Sequence, residues 1–182
     1  MARSRSRSST RFPPLTVSRR ALLAGGSDAQ FRQLIHDLIA YGHRLDACRD
    51  AFAGVIGVSG AQYEILMLAS RADGLSVGEV AARLHRSGAF ITIEANKLVG
   101  EGILEKRSDP ADGRKVLLKS TPKAGLLLER LGAFQGRVND TLFEHLDARP
   151  FRQLRRLAAE LLASGDRAVA MLELVLHEAE AA

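Results

Sequence analysis

The sequence predicts a mainly α-helical fold that includes one small β-hairpin. Apolar residues make up 46% of the 182 residues, but aromatic residues only 5%, and tryptophan is absent. A core built from Leu, Ala, Val and Ile suits packed helices better than two stacked sheets. From residue 31 to residue 176, apolar residues recur at helical spacing, except around one dense turn signal at residues 108–113.

The N-terminal residues 1–26 are expected to form a disordered basic tail. Residues 1–20 hold six arginines, no acid and no apolar periodicity. Subtracting these six charges from the net charge of +5 leaves −1 for residues 21–182, so the pI of about 9.9 mostly reflects the tail. The simpler interpretation is a solvated segment, and the alternative is a basic arm that follows nucleic-acid phosphates.

Sorting signals and cysteine content limit the function classes. Ser18-Arg19-Arg20 resembles a twin-arginine export signal, but its apolar stretch ends after four residues where roughly 7–15 are needed. No apolar run reaches the ~18 residues of a membrane span, so a cytoplasmic protein is expected. The one cysteine, Cys48, lies on the apolar stripe of a predicted helix and is interpreted as a buried structural thiol, with redox sensing as the alternative.

The first helix is predicted over residues 28–56, with a capping box of Ser27 and Gln30 at its start. Its apolar stripe is too long to be buried inside one small domain. Residues 27–58 are therefore expected to pack along other long helices as a dimerisation helix.

A compact central domain is predicted for residues 59–120. Its capping boxes join Ser59 with Gln62 and Ser76 with Glu79, and Ser87 caps one further helix. The predicted elements are three helices, 60–71, 76–84 and 88–101, and two strands, 103–107 and 115–119.

Two long helices are predicted for the remaining residues 121–182, which are expected to complete the dimerisation region. Thr121-Pro122 begins the first helix, which runs to about Asp147, and Pro150 begins the second. Ser164-Gly165 is a candidate break within the second helix.

Helices 76–84 and 88–101 have the size and spacing of a helix-turn-helix. The second helix of such a motif presents its outward residues to base edges in the major groove of DNA. Asn96 can bond adenine, Lys97 can reach guanine or phosphate, and Thr92 can touch a thymine methyl. The residues predicted to face inward are Ile91, Ala95, Leu98 and Val99. The candidate DNA contacts are Arg86, Ser87, Gly88, Ala89, Phe90, Thr92, Ile93, Asn96 and Lys97.

The hairpin after this helix is expected to be a wing. Arg114 follows the turn, and arginines at this place enter a narrow minor groove because its potential is negative. Asp112 is expected to orient the Arg114 guanidinium through a salt bridge, the alternative being a plain surface pair. Lys115 completes the candidate DNA contacts of the wing. Residues 83–123 carry nine Lys/Arg against five Asp/Glu, so this part of the chain is locally basic.

These residues together resemble the signature of the MarR family (multiple antibiotic resistance regulators), which are bacterial winged helix-turn-helix transcription regulators. The matching segments are 75–84, 102–107, 109–114 and 121–125, with Ser87, Thr92, Lys97 and Leu98 between them. The resemblance implies an obligate homodimer through the first and last helices, a palindromic operator, and repression relieved by a small ligand or by thiol oxidation. It also implies that Arg114 lies in the minor groove.

The sequence departs from the family pattern at three positions. Gly113 stands where an additional arginine is frequent, which is expected to weaken binding by the wing. Ile93 stands where an arginine is often found in the recognition helix, which leaves the operator sequence open. Ser120 replaces a common leucine, with little functional meaning.

A cleft for a small effector is also expected, because family members often bind organic acids or phenols between the dimerisation helices and the DNA-binding lobe. An arginine and histidines close to aromatic rings suit an anionic aromatic ligand. Alternatively, each of these side chains is an ordinary packing or surface residue. The candidate effector-binding residues are His36, Tyr41, His43, Arg44, Tyr63 and Met67.

The sequence offers little support for other function classes. It has no G-x-S-x-G, glycine-rich phosphate loop or H-E-x-x-H motif, so no enzyme is expected. His36 and His43 are too far apart to share a metal ion, and no metal or cofactor is expected. The predicted function is a DNA-binding, ligand-responsive repressor. The alternatives are a winged-helix module that binds protein instead of DNA, or a redox-sensing regulator that uses Cys48.

Overall fold

The structure is a computed structural model that describes residues 14–71, 74–110 and 112–180. It has the mainly helical fold with a small sheet that the sequence predicts. The elements are α1 (Ala29–Ile56), α2 (Gly60–Ala69), β1 (Leu75–Ser76), α3 (Val77–Leu84), α4 (Gly88–Gly100), β2 (Leu104–Ser108), β3 (Val116–Ser120), α5 (Pro122–Leu142) and α6 (Ala148–Glu180). The chain divides into two compact units, Met1–Leu131 and Gly132–Ala182.

The residues before α1 differ from the expected disorder of segment 1–26 where the structure describes them. Arg20–Leu22 forms a short 3₁₀ turn, and Ala24 pairs with Ser27 through two backbone hydrogen bonds. The first thirteen residues of the predicted tail lie outside the described residues.

α1 begins at a buried carboxylate. Asp28 accepts hydrogen bonds from the backbone N–H and the hydroxyl of Thr16, both at 2.8 Å, and pairs with Arg32 at 2.7 Å. These interactions, the Thr16 backbone N–H foremost, hold the pKa of Asp28 below its ordinary value. The N-cap is therefore Asp28, and the predicted capping box of Ser27 and Gln30 is wrong.

The other two predicted capping boxes are confirmed. At the start of α2, the Ser59 hydroxyl accepts from the Gln62 N–H and the Gln62 side chain accepts from the Ser59 N–H. At the start of α3, Ser76 and Glu79 make the same reciprocal pair. Each box satisfies two backbone N–H groups that the first helical turn leaves without partners.

The core of the first unit lies where three short helices meet a small sheet. The sheet has the order β1-β3-β2 with antiparallel pairing, and Leu104 lies opposite Ser120. The largest fully buried apolar side chains are Ile65, Leu66, Val80, Ile91, Leu98, Leu104, Leu118 and Leu131. These residues come from α2, α3, α4, both hairpin strands and α5, so one core holds α4 and the β2–β3 hairpin in place.

Both hairpin strands begin one residue later than predicted. The N–H of Ile103 donates to the Leu98 carbonyl at 2.9 Å and so closes the end of α4, with Gly102 in the left-handed region at φ 69°. β1 was not predicted, because it has only two residues and exists through its pairing with β3.

The long helices leave most of their apolar surface uncovered. Only Phe52, Ala53 and Ile56, in the last turns of α1, are buried, and none of the residues 148–180 is. α6 continues through Ser164-Gly165, so the candidate break is wrong. Among the described residues, no single helix is long and apolar enough to cross a membrane, although α1 and α2, bent by 81°, together meet the length and composition required.

Candidate nucleic-acid interface

The turn between α3 and α4 is sharp and well capped. His85 ends α3 in the left-handed region at φ 49°, and the N–H of Arg86 donates to the Ala81 carbonyl at 3.0 Å. The Ser87 hydroxyl then accepts from the Phe90 N–H at 3.2 Å and starts α4. The helix-turn-helix geometry predicted from the sequence is therefore present.

α4 separates its two faces as its periodicity predicts. Ile91, Ala95 and Leu98 are buried against the core, whereas Val99 is only half-buried. The candidate contacts on the opposite face are all exposed: Gly88, Ala89, Phe90, Thr92, Ile93, Asn96 and Lys97. Ile93 is 56% exposed, which is a large apolar surface for a helix whose other face is packed.

The polar side chains on the exposed face of α4 differ in which of their hydrogen-bonding groups remain unoccupied. The Thr92 hydroxyl donates to the Gly88 carbonyl at 2.8 Å, so its methyl group and its lone pairs remain for a ligand. The Asn96 amide has no hydrogen-bond partner among the described residues, and its donor and acceptor are both free. Asn96 is thus the group on this face best suited to a bidentate contact.

A cation lies at the N-terminal end of the recognition helix. The Arg86 guanidinium carbon is 5.7 Å from the centroid of the Phe90 ring, within cation–π range. Both side chains are exposed, so the ring restrains the arginine without burying it. Arg86 and Phe90 were both candidate contacts, and the structure brings them together.

Lys97, which the sequence presents as a plain exposed cation, pairs with Glu94, and Gln62 in turn donates to Glu94. Lys97 Nζ lies 2.6 Å from Glu94 Oε1, and Glu94 Oε2 accepts from Gln62 Nε2 at 3.0 Å. The sequence predicted Gln62 only as part of the capping box with Ser59 and predicted no role for Glu94. The spacing of Glu94 and Lys97 along one helix was a usable signal for their pairing, whereas the contact with Gln62 depends on the tertiary fold.

The wing is stabilised in a different way from the one predicted. Asp112 Oδ1 accepts from the backbone N–H of Arg114 at 3.2 Å, and Asp112 Oδ2 lies 3.9 Å from Lys115 Nζ. The expected salt bridge from Asp112 to the Arg114 guanidinium is therefore wrong, because the short Asp side chain satisfies the turn backbone first. The Arg114 guanidinium is exposed and has no ion-pair partner among the described residues.

The candidate effector residues of α1 do not all gather in one place. Asp37, Ala40, Tyr41 and Arg44 line a shallow pocket, and Arg44 Nη1 donates to the Ala40 carbonyl at 2.6 Å. Burial raises the pKa of the Tyr41 phenol, so the ring lies in a partly desolvated place. Of the six candidates, only Tyr41 and Arg44 line this pocket.

The remaining effector candidates occupy other surroundings. Tyr63 is buried and packs on Phe52, with ring centroids 6.2 Å apart, so it belongs to the core. Met67 is half-buried on α2, and His36 and His43 are exposed on α1.

Cysteine and metal chemistry have little geometric support here. Cys48 is half-buried, which differs from the buried position expected. In the part of the chain that the structure describes, no group of three or more His, Cys, Asp or Glu side chains could hold a metal ion.

Comparison with known protein families places this site in a wider group. Residues 56–115 match the model of the MarR family. The winged-helix segment is similar to that of MarR-family proteins. The matched span contains α2, α3, α4 and β2, together with Arg114 of the wing. No curated protein sequence matches the chain significantly.

Solved structures share the fold over most of the chain. CouR from Rhodococcus jostii RHA1, solved with bound p-coumaroyl-CoA, is 20% identical with a TM-score of 0.67, and the match covers 74% of this chain and 95% of that one. A MarR/EmrR family regulator from Acinetobacter sp. ADP1 is 20% identical with a TM-score of 0.64, covering 75% and 96%. Apo MarR from E. coli is 23% identical with a TM-score of 0.55, covering 71% and 95%. The chain thus has the fold of MarR transcriptional regulators.

Proposed function

We propose that this protein is a transcriptional repressor that binds a palindromic operator as a homodimer and is released by a small anionic aromatic ligand. The observation that carries the proposal is the pairing of a free amide, Asn96, on the exposed face of α4 with a free guanidinium, Arg114, on the wing. A recognition helix and a wing held by one core can contact adjacent major and minor grooves.

The exposed face of α4 supports reading of bases by both polar and apolar contacts. Asn96 offers the donor and acceptor that adenine requires in the major groove. Phe90, Ile93 and the Thr92 methyl form an apolar surface suited to thymine methyl groups. No arginine lies on this helix, so we expect recognition to depend more on A·T pairs and DNA shape than on guanine.

The two long helices support a second copy of this chain as partner. α1 exposes the large apolar residues Leu34, Ile35, Leu38, Ile39 and Leu45. α6 exposes Phe151, Leu154, Leu157, Leu161, Leu162, Val169, Met171, Leu172, Leu174, Val175 and Leu176. Apolar surface on this scale marks an interaction site, and an isologous dimer would present two recognition helices to half-sites about 10 bp apart.

The pocket on α1 supports an anionic aromatic effector. The Arg44 guanidinium suits a carboxylate or phenolate, and the half-buried Tyr41 ring suits an aromatic ligand. Asp37 in the same pocket would repel an anion, so a ligand is expected to place its charge on the Arg44 side. Loss of ligand-induced DNA release in an Arg44→Ala variant would support this site, and unchanged release would exclude Arg44 from it.

Two other functions make different predictions. The exposed Phe90 and Ile93 side chains also fit a winged helix that binds another protein, which would require no DNA contact. Oxidation of the half-buried Cys48 is the alternative trigger for release. Unchanged operator affinity after peroxide treatment would exclude the thiol trigger.

The test of DNA binding is a mobility-shift titration on the DNA upstream of this chain's own gene and on genomic fragments, across a salt series. The parent protein is expected to bind tightly with a steep salt dependence, and Arg114→Ala to lose about tenfold or more in affinity. Arg107→Ala is the matched control, because its side chain already pairs with Glu105 at 2.6 Å on the same hairpin. A folded dimer that shifts none of these fragments would favour the protein-binding module.

A further inference from the structure

The recognition helix carries a carboxylate in its middle that DNA phosphates would repel. Glu94 follows the exposed Ile93 and precedes the buried Ala95, and its side chain is only 12% exposed. Both carboxylate oxygens are occupied, one by Gln62 Nε2 at 3.0 Å and the other by Lys97 Nζ at 2.6 Å. Glu94 therefore links a buried residue of α2 to an exposed cation on the DNA-facing side of α4.

Gln62 has little freedom to move. Its Oε1 accepts from the Ser59 N–H at 2.9 Å, and its own N–H donates to the Ser59 hydroxyl at 3.2 Å. Since this capping box uses the amide oxygen, the amide NH₂ is left to donate to Glu94. The carboxylate of Glu94 is thus anchored on the start of α2 as well as on its own helix.

The anchored carboxylate changes what Lys97 can offer to DNA. A free lysine acts as a mobile point charge that adds to phosphate attraction without regard to sequence. Here the Glu94 charge offsets that of Lys97, and the ion pair holds the ammonium in one place. Lys97 is still 55% exposed and has further N–H donors, so it can bond a base edge from a fixed position.

We propose that Glu94, held by Gln62, is a positioning residue that makes Lys97 a directional contact and so sets the discrimination between operator and other DNA. The hydrogen-bonded series of side chains Ser59–Gln62–Glu94–Lys97 lowers the nonspecific attraction between Lys97 and DNA phosphates. It leaves one N–H donor of Lys97 in a fixed direction. Specificity is the difference between two affinities, so weakening the nonspecific one increases it. The inference rests on the proposed DNA binding.

The test compares Glu94→Gln with Glu101→Gln in the full-length protein. Glu101 is an exposed acid at the end of α4, so its variant makes the same charge change without freeing Lys97. Each variant is titrated with the DNA fragment that the parent protein shifts in the mobility-shift experiment, and with random-sequence duplex DNA. Both titrations are made across a salt series. For Glu94→Gln, we expect random-DNA affinity to rise about three- to tenfold at ~0.1 M salt, with a salt slope steeper by about 0.9 per protomer.

Operator affinity of Glu94→Gln is expected to change less, so its operator preference falls. Glu101→Gln is expected to change both affinities by the same factor. The charge-neutral double variant Glu94→Gln/Lys97→Gln is expected to keep the parent's random-DNA affinity and salt slope but to lose operator preference. A purely structural link between α2 and α4 would lower the melting temperature of these variants and leave operator preference unchanged.

The outcomes separate this inference from the function on which it rests. If the parent prefers its operator and Glu94→Gln matches Glu101→Gln in slope and preference, the role of Glu94 is refuted while DNA binding stands. If the parent binds neither the operator fragment nor random-sequence DNA, the proposed function is refuted, and the role of Glu94 is refuted as well. If Glu94→Gln does not fold, Lys97→Gln alone, which leaves Glu94 bonded to Gln62, keeps the inference testable: an unchanged operator preference in this variant refutes it.

Discussion

At the scale of single residues, carboxylates organise the ends of the DNA-binding elements. Glu79 Oε2 accepts from both the backbone N–H and the hydroxyl of Ser76, each at 2.8 Å. The Ser76 backbone N–H, followed by the hydroxyl, lowers the pKa of Glu79 from its ordinary 4.5. Because the ionised carboxylate accepts these bonds more strongly than the neutral acid, protonation weakens the start of α3.

This cap predicts an acid-dependent contribution to stability. The folded pKa of Glu79 is lowered, so its contribution is fully present above the unfolded pKa of about 4.5 and is lost as pH falls through the folded value. Glu79→Gln keeps an acceptor for the capping box but does not titrate. We expect thermal unfolding between pH 6 and pH 3 to show a smaller loss of stability in the variant than in the parent. An identical pH dependence in both proteins would contradict the role of the carboxylate.

Single residues also show which features of α4 the sequence predicts and which it does not. The 3.6-residue period placed Ile91, Ala95 and Leu98 inside and Asn96 outside, because burial of one helix face depends on local spacing alone. It did not identify the contact between Gln62 and Glu94, because tertiary packing brings these two residues together across 32 residues of sequence. Tertiary contacts between polar side chains leave no periodic signal.

At the scale of elements, local signals predicted the helices well and the pairing of strands less well. The boxes at Ser59 and Ser76 located the starts of α2 and α3, because a cap is made by residues three apart. β1 escaped prediction because Leu75 becomes a strand residue only by lying opposite Leu118. The start of α1 was misassigned for a similar reason, since Asp28 is occupied by Thr16, twelve residues earlier.

For the wing, the predicted hairpin is present, but the side-chain contact predicted within it is not. The turn signal predicted the hairpin, and Asp112 was expected to pair with the Arg114 side chain. In the structure, Asp112 instead binds the Arg114 backbone and lies near Lys115. The arginine is left free, so Arg114→Ala removes a group with no described internal partner, and its effect on DNA affinity can be measured with little loss of folding stability.

At the scale of the whole molecule, the proposed function requires a second copy of the chain. None of the residues 148–180 is buried, yet α6 carries leucines at regular helical spacing. An apolar stripe of this length is expected to be buried by association with a second copy of the chain. Dimerisation would also explain why long helices precede and follow the winged-helix segment in the sequence.

We predict that Leu161→Asp dissociates the dimer. Leu161 is 59% exposed in the single chain, and a carboxylate placed there would be buried without a partner in an interface. Sedimentation is expected to show a monomer, and operator affinity is expected to fall about 10²-fold or more because the two half-sites are no longer bound together. Ala159→Asp, which adds the same charge on the side of α6 that carries Arg155 and Arg156, is expected to remain dimeric. A dimeric Leu161→Asp would contradict this interface.

The most direct test of the central claim is selection of binding sites from random duplex DNA by the parent protein and by Asn96→Ala. We expect the parent to enrich a two-fold symmetric sequence with half-sites about 10 bp apart. We also expect Asn96→Ala to lose the preference for one A·T pair in each half-site, at a cost of about 1–3 kcal/mol. Enrichment of no motif by the parent, or of the same motif by both proteins, would contradict the assignment of α4 as the helix that reads DNA.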